Sequence, residues 1–161
     1  MFSHFLHDSH DIISLNDDAD SAGCGLADPA EKTEASGTRN ERPFVLCIDD
    51  DEDFSHGVKL CLQSRGYEVV RVSKGIDGYR LAFELAPIVI LLDLHMPGDS
   101  GEEILSQLRF HPATSHIPVM IVTGIRDSNL RDRMIASGAT EVLQKPLNYD
   151  QLAKEVAKFS P

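Results

Sequence analysis

Short apolar runs alternate with segments of helical period from Pro43 to the end of the chain. Five runs have the character of strands, at residues 44–48, 67–72, 88–92, 118–122 and 141–144. The first, third and fourth are almost continuously apolar, which is typical of central strands covered on both faces. The second run alternates between apolar and polar residues, and this pattern predicts an edge strand.

The segments between these runs have the period of amphipathic helices. In the first segment, apolar residues recur at i, i+4, i+7 and i+8, namely Phe54, Val58, Cys61 and Leu62. Gly66 suits the left-handed position just after a helix, and Gly138 has the same place after the fourth helix. Four further helices are predicted over 76–86, 101–110, 129–137 and 149–159. The pattern therefore predicts an α/β fold, a (βα)5 doubly wound parallel sheet of five strands in the order 2-1-3-4-5.

The first part of the chain, residues 1–42, has a different composition. It carries nine acidic residues against Lys32, Arg39 and Arg42, and it has no β-branched run of strand length. Such a segment buries too little apolar surface to offset the entropy lost on ordering. We therefore predict an acidic, largely disordered extension over residues 1–42, followed by one folded domain over residues 43–161.

Charge and composition exclude several classes of function. The net charge of −11 disfavours direct binding to nucleic acid or to an anionic membrane surface, since both are polyanions. No apolar stretch approaches the roughly 18 residues of a membrane helix, so no membrane insertion is expected. The three cysteines form no CxxC pair and predict a reducing compartment. A cytoplasmic protein is expected.

Residues that handle phosphate and metal ions follow the predicted strands. Asp49 and Asp50 follow the first strand, Asp93 the third, Thr123 the fourth and Lys145 the fifth. The carboxyl ends of parallel strands lie at one edge of a sheet, where ligands of such folds bind. The sequence therefore predicts that these five residues form one site.

Clustered carboxylates at such an edge predict a bound cation. Like charges raise one another's pKa, so the cluster either holds a proton or binds a metal ion, and hard oxygen ligands favour Mg²⁺. Asp50 and Asp93 are the best candidate ligands. The neighbouring acids at positions 51–53 have a simpler explanation, since acidic residues stabilise the N-terminus of a helix.

Asp93 is also a candidate nucleophile. It follows five apolar residues and has no helix to cap at once, and a carboxylate beside a metal ion can form an aspartyl phosphate. The charge on the phosphoryl oxygens then requires donors. The Lys145 ammonium and the Thr123 hydroxyl are suitable ones.

These motifs together resemble the receiver domain of two-component response regulators. The resemblance rests on VLCIDDDED (45–53), ILLDLHMPGDSG (90–101), PVMIVTG (118–124) and GATEVLQKP (138–146), which occur in this order. Thr123 follows Asp93 by 30 residues and Lys145 follows Thr123 by 22, spacings similar to those of the family. The resemblance covers about residues 43–160 and implies a flavodoxin-like fold. The chain is similar to a stand-alone, chemotaxis-type regulator with no enzymatic activity beyond its own phosphorylation and slow dephosphorylation.

The resemblance implies a role for each site residue. Asp93 is the implied phosphoacceptor, which takes a phosphoryl group from a histidine kinase or a histidine phosphotransfer protein. Asp50 is the implied direct ligand of Mg²⁺, Asp49 holds the metal ion through water, and the backbone carbonyl of His95 is a further ligand. Thr123 and Lys145 are the implied phosphate contacts and switch residues. The Lys145–Pro146 peptide bond is expected to be cis.

Two positions differ from the usual pattern of the family. Val142 replaces an aromatic residue that often turns inward on activation, and Gly124 stands where alanine is commoner. The aromatic-coupled switch is therefore not expected here. The favoured hypothesis is a phosphorylation-dependent contact with an unidentified output protein, or a relay. Two alternatives are a phosphorylation-independent module with the receiver fold and a receiver fragment of a hybrid histidine kinase.

Overall fold

The computed structural model describes residues 42–161, so the predicted extension lies, but for Arg42, outside the described residues. The elements, in chain order, are β1 (Phe44–Ile48), α1 (Glu52–Gln63), β2 (Glu68–Val72), α2 (Gly75–Leu85), β3 (Val89–Leu92), β4 (His95–Met96), β5 (Asp99–Ser100), α3 (Gly101–Phe110), β6 (Val119–Thr123), α4 (Leu130–Ala136), β7 (Glu141–Gln144) and α5 (Tyr149–Ala157).

The main sheet has five parallel strands in the order β2-β1-β3-β6-β7. Counted along the chain, these strands have the predicted order 2-1-3-4-5, and the fold prediction is confirmed. The more polar β2 is an edge strand, as its alternation predicts. In the register of the sheet, Val45 of β1 lies opposite Val69 on one side and Val89 on the other.

A small antiparallel pair, β4 and β5, was not predicted. Its strands have two residues each, too few for a hydrophobic period to show in sequence. The pair surrounds Gly98, whose φ of +81° lies in the left-handed region that turns of this kind need. The side chain of Asp99 accepts a hydrogen bond of 2.9 Å from the backbone N–H of Gly75, which ties the pair to the start of α2.

The four helices with predicted bounds, α2 to α5, begin and end within two residues of those bounds. The predicted second helix was one residue too long at its end, because Ala86 has a φ of 46° and caps α2 in the left-handed conformation. Asn129 and Ser137 flank α4 as caps and lie outside it. Gly66 and Gly138 have φ values of +92° and +96°, as expected for glycines that follow a helix.

Helices cover both faces of the sheet. Alternate residues of β1 point to opposite faces, so Leu46 and Ile48 pack against α2, α3 and α4, while Val45 and Cys47 pack against α1 and α5. All four of these residues are at most 1% exposed. The central strands are therefore buried on both sides, as their continuous apolar runs predict.

The carboxyl ends of β1 and β3 are fixed side by side at one edge of the sheet. The backbone N–H of Asp49 donates to the carbonyl of Val72, and the N–H of Asp93 donates to the carbonyl of Ile48, both at 2.9 Å. These bonds continue the strand pairing by one residue past each strand. Among the described helices, none combines the length and the apolar character needed to cross a membrane.

Candidate functional site

Three carboxylates meet at this edge of the sheet. Asp49, Asp50 and Asp93 each offer one oxygen, and these oxygens lie within 4.8 Å of one another. Asp49 and Asp93 are buried, with exposed fractions of 4% and 7%, whereas Asp50 is exposed. A set of hard oxygen donors with one side open to solvent fits a divalent ion such as Mg²⁺, which keeps several waters.

The ammonium of Lys145 joins two of these carboxylates. Its Nζ donates to Asp49 Oδ2 at 2.7 Å and to Asp93 Oδ2 at 2.9 Å. The backbone N–H of Lys145 donates to the carbonyl of Thr123 at 2.8 Å, which holds the end of β7 against the end of β6. The structure therefore brings Lys145 to the cluster from a position 52 residues beyond Asp93 in the chain.

Burial and hydrogen bonding act in opposite directions on these groups. Burial alone would lower the pKa of Lys145, but its hydrogen bonds to Asp49 and Asp93 outweigh this and raise the pKa. Burial raises the pKa of Asp49, and the hydrogen bonds from Lys145 and from the backbone of Asp51 offset only part of that rise. The site thus favours a charged lysine and disfavours the charge of Asp49 when no metal ion is bound.

Asp93 is held by contacts on both of its oxygens. Oδ2 accepts from Lys145, and Oδ1 accepts from the backbone N–H of His95 at 3.1 Å. His95 is itself exposed, at the rim of the site. Gly101 packs directly beneath this turn, since a Cβ added to it would lie 2.2 Å from the carbonyl oxygen of Asp93.

Thr123 is the last residue of β6 and is 1% exposed. Its Oγ1 accepts a hydrogen bond of 3.2 Å from the backbone N–H of Ile125. The hydroxyl hydrogen is therefore free to donate to another acceptor. The Lys145–Pro146 peptide bond, directly after β7, is cis.

Val142, in the middle of β7, is half-buried and packs against the core on the α2, α3 and α4 side of the sheet. Its backbone carbonyl accepts from the side chain of Arg131 in α4 at 3.1 Å. Position 142 has a small aliphatic side chain, whereas an aromatic switch residue is commoner there in the family that the sequence resembles.

Phe54 is a residue of the site that the sequence did not reveal. Its ring lies beneath the ammonium of Lys145, with Nζ 4.3 Å from the ring centroid. The sequence predicted Phe54 only as an apolar residue on the buried face of a helix. Its place in the first turn of α1, five residues after Asp49, was the one available signal that it lies near the site.

Comparison with known proteins agrees with this geometry. A family model described as the response regulator receiver domain matches residues 45–157. Protein PilH of Pseudomonas aeruginosa is 32% identical over 70% of this chain and 93% of its own length. The DNA-binding dual master transcriptional regulator RpaA of Synechocystis is 34% identical over 71% of this chain, and the match covers 47% of RpaA. The chain therefore spans about half the length of relatives such as RpaA.

Solved structures give the same result. The chemotaxis protein CheY4 of Vibrio cholerae superposes with a TM-score of 0.68 at 28% sequence identity, over 74% of this chain and 99% of CheY4. Receiver domains are signalling modules that accept a phosphoryl group from histidine kinases or phosphotransfer proteins, and they bind Mg²⁺ in their active sites. Apart from the first residue of β1, the family match includes all five strands of the main sheet and the carboxylates and lysine at its edge. This chain belongs to the family of receiver domains of two-component response regulators.

Proposed function

We propose that this chain is a phosphorylation-switched response regulator that accepts a phosphoryl group on Asp93 in a Mg²⁺-dependent reaction. The observation that carries the proposal is the position of the Asp93 carboxylate. It belongs to an acidic cluster that fits a divalent ion, and an ammonium that can neutralise phosphoryl oxygens lies 2.9 Å away from it. This combination supports phosphoryl transfer more specifically than either feature alone.

In the proposed reaction, an oxygen of the Asp93 carboxylate attacks the phosphorus of a phosphohistidine. A P–O bond forms and the P–N bond breaks, and the leaving imidazole nitrogen keeps the electron pair and takes up a proton. Lys145 loses one carboxylate partner when Asp93 becomes an acyl phosphate, and its ammonium then binds a phosphoryl oxygen. The free hydroxyl hydrogen of Thr123 can bind a second one.

Asp50, Asp93 and the backbone carbonyl of His95 are the proposed ligands of Mg²⁺, with Asp49 holding it through water. When bound, Mg²⁺ neutralises charge on the phosphoryl group and polarises it toward attack. Both oxygens of Asp49 already accept hydrogen bonds, one from Lys145 and one from the backbone of Asp51. Asp49 is thus held in place by protein groups, and we propose that it contacts the metal ion through water.

We propose that the partners are a histidine kinase or phosphotransfer protein and an output protein that recognises the phosphorylated state. A net charge of −11 supports contact with protein over contact with nucleic acid. The match to PilH covers 93% of the length of PilH, and this supports the proposal of a single-domain regulator. We place its action in the cytoplasm, where such phosphodonors occur.

Acetyl phosphate tests this proposal without a known kinase. We expect the protein to gain the mass of one phosphoryl group when it is incubated with acetyl phosphate and Mg²⁺. The same incubation with EDTA replacing Mg²⁺ should give no adduct, because the charge on the phosphoryl group is then unmatched. An adduct that forms equally well in EDTA would contradict the metal dependence.

A phosphorylation-independent interaction module with the receiver fold is the second candidate. Val142 favours it, since the aromatic residue of the usual switch is replaced by a small aliphatic one. Beryllofluoride, a phosphoryl mimic, separates the two candidates. A switch predicts backbone chemical-shift changes that extend from Asp93 to α4 and β7, and an uncoupled module predicts changes confined to the edge of the sheet.

A further inference from the structure

The Lys145 ammonium has a third contact besides its two carboxylates. Its Nζ lies 4.3 Å from the centroid of the Phe54 ring, a distance at which a cation is attracted to the face of an aromatic ring. The Lys145 side chain is only 16% exposed, so little water screens this attraction. The Phe54 ring thus lines one side of the pocket that holds the Lys145 ammonium.

Phe54 is itself fixed on two sides. Its backbone N–H donates to Asp51 Oδ1 at 2.9 Å, which places Phe54 in the capped first turn of α1. Its ring stacks on Tyr149, with centroids 6.1 Å apart and an interplanar angle of 29°. Tyr149 begins α5, so the two rings join the first turns of α1 and α5, two helices that contact each other.

A glycine in α1 makes room for this stack. A Cβ added to Gly57 would lie 2.3 Å from the Tyr149 hydroxyl oxygen and 2.6 Å from Cζ. Glycine within a helix is otherwise unfavourable compared with alanine. The position of the Tyr149 ring therefore explains the glycine at position 57. The Tyr149 ring packs on the Phe54 ring, and the Phe54 ring contacts the Lys145 ammonium at the site.

We propose that Phe54 is a positioning residue that keeps the Lys145 ammonium at the site while one of its two carboxylate partners, Asp93, becomes an acyl phosphate. This inference rests on the proposed phosphoryl transfer to Asp93. A lysine ammonium is carried on a flexible stem of four carbons, and it must exchange the Asp93 carboxylate for a phosphoryl oxygen when Asp93 becomes an acyl phosphate. The attraction of the ring does not depend on the charge of Asp93, so it persists through the reaction.

Three variants test the proposal. Phe54→Leu keeps apolar volume but removes the ring, Phe54→Tyr keeps the ring, and Phe83→Leu removes an exposed ring of α2 that is not part of the site. The first readout needs neither metal ion nor phosphodonor. It is the NMR shift of the Lys145 Cε protons, which the ring moves upfield, assigned with a Lys145→Arg sample.

The second readout is the kinetics of phosphorylation by acetyl phosphate with Mg²⁺. For Phe54→Leu we expect the upfield shift to disappear and the rate constant at saturating donor to fall about three- to tenfold. The donor and Mg²⁺ concentrations for half-maximal rate should change by less than about twofold, since Phe54 contacts neither. Phe54→Tyr should restore both the shift and the rate constant, and Phe83→Leu should match the wild type.

Gly57→Ala provides a second test that does not alter Phe54. Alanine favours the helix, so the variant should fold, but its Cβ must displace the Tyr149 ring that supports Phe54. We expect a smaller upfield shift of the Lys145 protons and a rate constant reduced by about twofold or more.

Several outcomes would overturn the proposal. One is a Phe54→Leu protein with wild-type rate constant, and another is a Phe54→Tyr protein as slow as Phe54→Leu. A third is an unchanged Lys145 proton shift in Phe54→Leu. If the wild type takes up no phosphoryl group, the proposed function fails, and the proton shift alone then decides whether the ring positions the ammonium.

Discussion

The Nζ atom of Lys145 lies 2.7 Å from Oδ2 of Asp49. Together with its bond to Asp93, this contact lets the lysine offset part of the negative charge of the carboxylate cluster in the metal-free protein. Asp50 contributes a further negative charge at the exposed side of the same cluster. The site is thus crowded with like charge, and it favours a cation that can contact Asp50.

Replacement of Asp50 by alanine should separate metal binding from folding. The metal-free Asp50→Ala protein should unfold at the same temperature as the wild type or higher, because one of several crowded negative charges is removed. The rise in unfolding temperature that Mg²⁺ gives the wild type should be lost. Phosphorylation by acetyl phosphate should fall by at least about tenfold.

Asp53→Ala is the matched control for this experiment. Asp53 is an exposed acid in the first turn of α1, outside the carboxylate cluster. It should keep the stabilisation by Mg²⁺ and normal phosphorylation. An Asp50→Ala protein that responds to Mg²⁺ like the Asp53→Ala protein would refute the metal assignment.

The raised pKa of Asp49 predicts a pH dependence of stability. An acid with a higher pKa in the folded state binds its proton more tightly there. Its stabilising contribution to the free energy of unfolding is therefore fully present below the ordinary pKa of 3.8. That contribution is lost as the pH rises through the raised pKa. The Asp49→Asn protein has no proton to lose at this position. Its free energy of unfolding should therefore increase relative to that of the wild type as the pH rises above 3.8.

Urea unfolding at a series of pH values without metal ion measures this difference. All other acidic residues are common to both proteins, so most of their contributions to the pH dependence cancel in the comparison. The difference should level off once Asp49 is fully ionised. A difference that is flat, or that grows toward low pH, would show that burial does not dominate the environment of Asp49.

The contact between Gly101 and the turn after Asp93 predicts a strong effect of a single methyl group. A Cβ at position 101 would lie 2.2 Å from the Asp93 carbonyl oxygen and 2.6 Å from Leu94 Cα, and backbone atoms cannot move aside easily. Gly101→Ala should lower the unfolding free energy by about 1–3 kcal/mol. It should also slow phosphorylation, because the turn that carries Asp93 must shift.

Gly124→Ala is the matched control, since among the described residues, apart from Gly124 and its two chain neighbours, no atom lies within 4 Å of a Cβ added there. The free energy of unfolding of the Gly124→Ala protein should stay within about 0.5 kcal/mol of that of the wild type. Equal effects of the two substitutions would contradict the close packing beneath Asp93.

Cys47 should be inert in the folded protein. Burial, reinforced by the charge of Asp49, raises the pKa of its thiol to about 12, and the residue is 1% exposed. In a Cys24→Ser protein, iodoacetamide at pH 8 should modify the half-buried Cys61 first, with Cys47 at least about 100-fold slower. Peptide mapping by mass spectrometry measures both rates. Comparable rates would indicate that β1 opens readily.

Much of the fold could be predicted from the sequence because a strand that is buried on both faces has a continuous run of apolar residues. The continuous apolar runs of β1, β3 and β6 identified the centre of the sheet, and the alternation in β2 identified its edge. Gly66 and Gly138 marked helix ends because few other residues adopt a positive φ there. The strand order followed from these elements and the handedness of their connections.

Contacts between distant residues were not predictable from local pattern. The ring of Phe54 carries the same apolar signal whether it meets a core residue or the ammonium of Lys145. The role of Gly57 likewise depends on Tyr149, which is 92 residues away in the chain. The place of each site residue at a strand end was predictable, and the side chains that hold those residues in position were not.

The phosphoacceptor role of Asp93 is tested most directly by one measurement. Wild type, Asp93→Asn and Asp53→Asn are incubated with acetyl phosphate and Mg²⁺, and intact mass is recorded before the acyl phosphate hydrolyses. We predict that the wild type and Asp53→Asn gain the mass of one phosphoryl group and that Asp93→Asn, with no carboxylate nucleophile at this position, gains none. An Asp93→Asn protein that takes up the group as the wild type does would contradict the account.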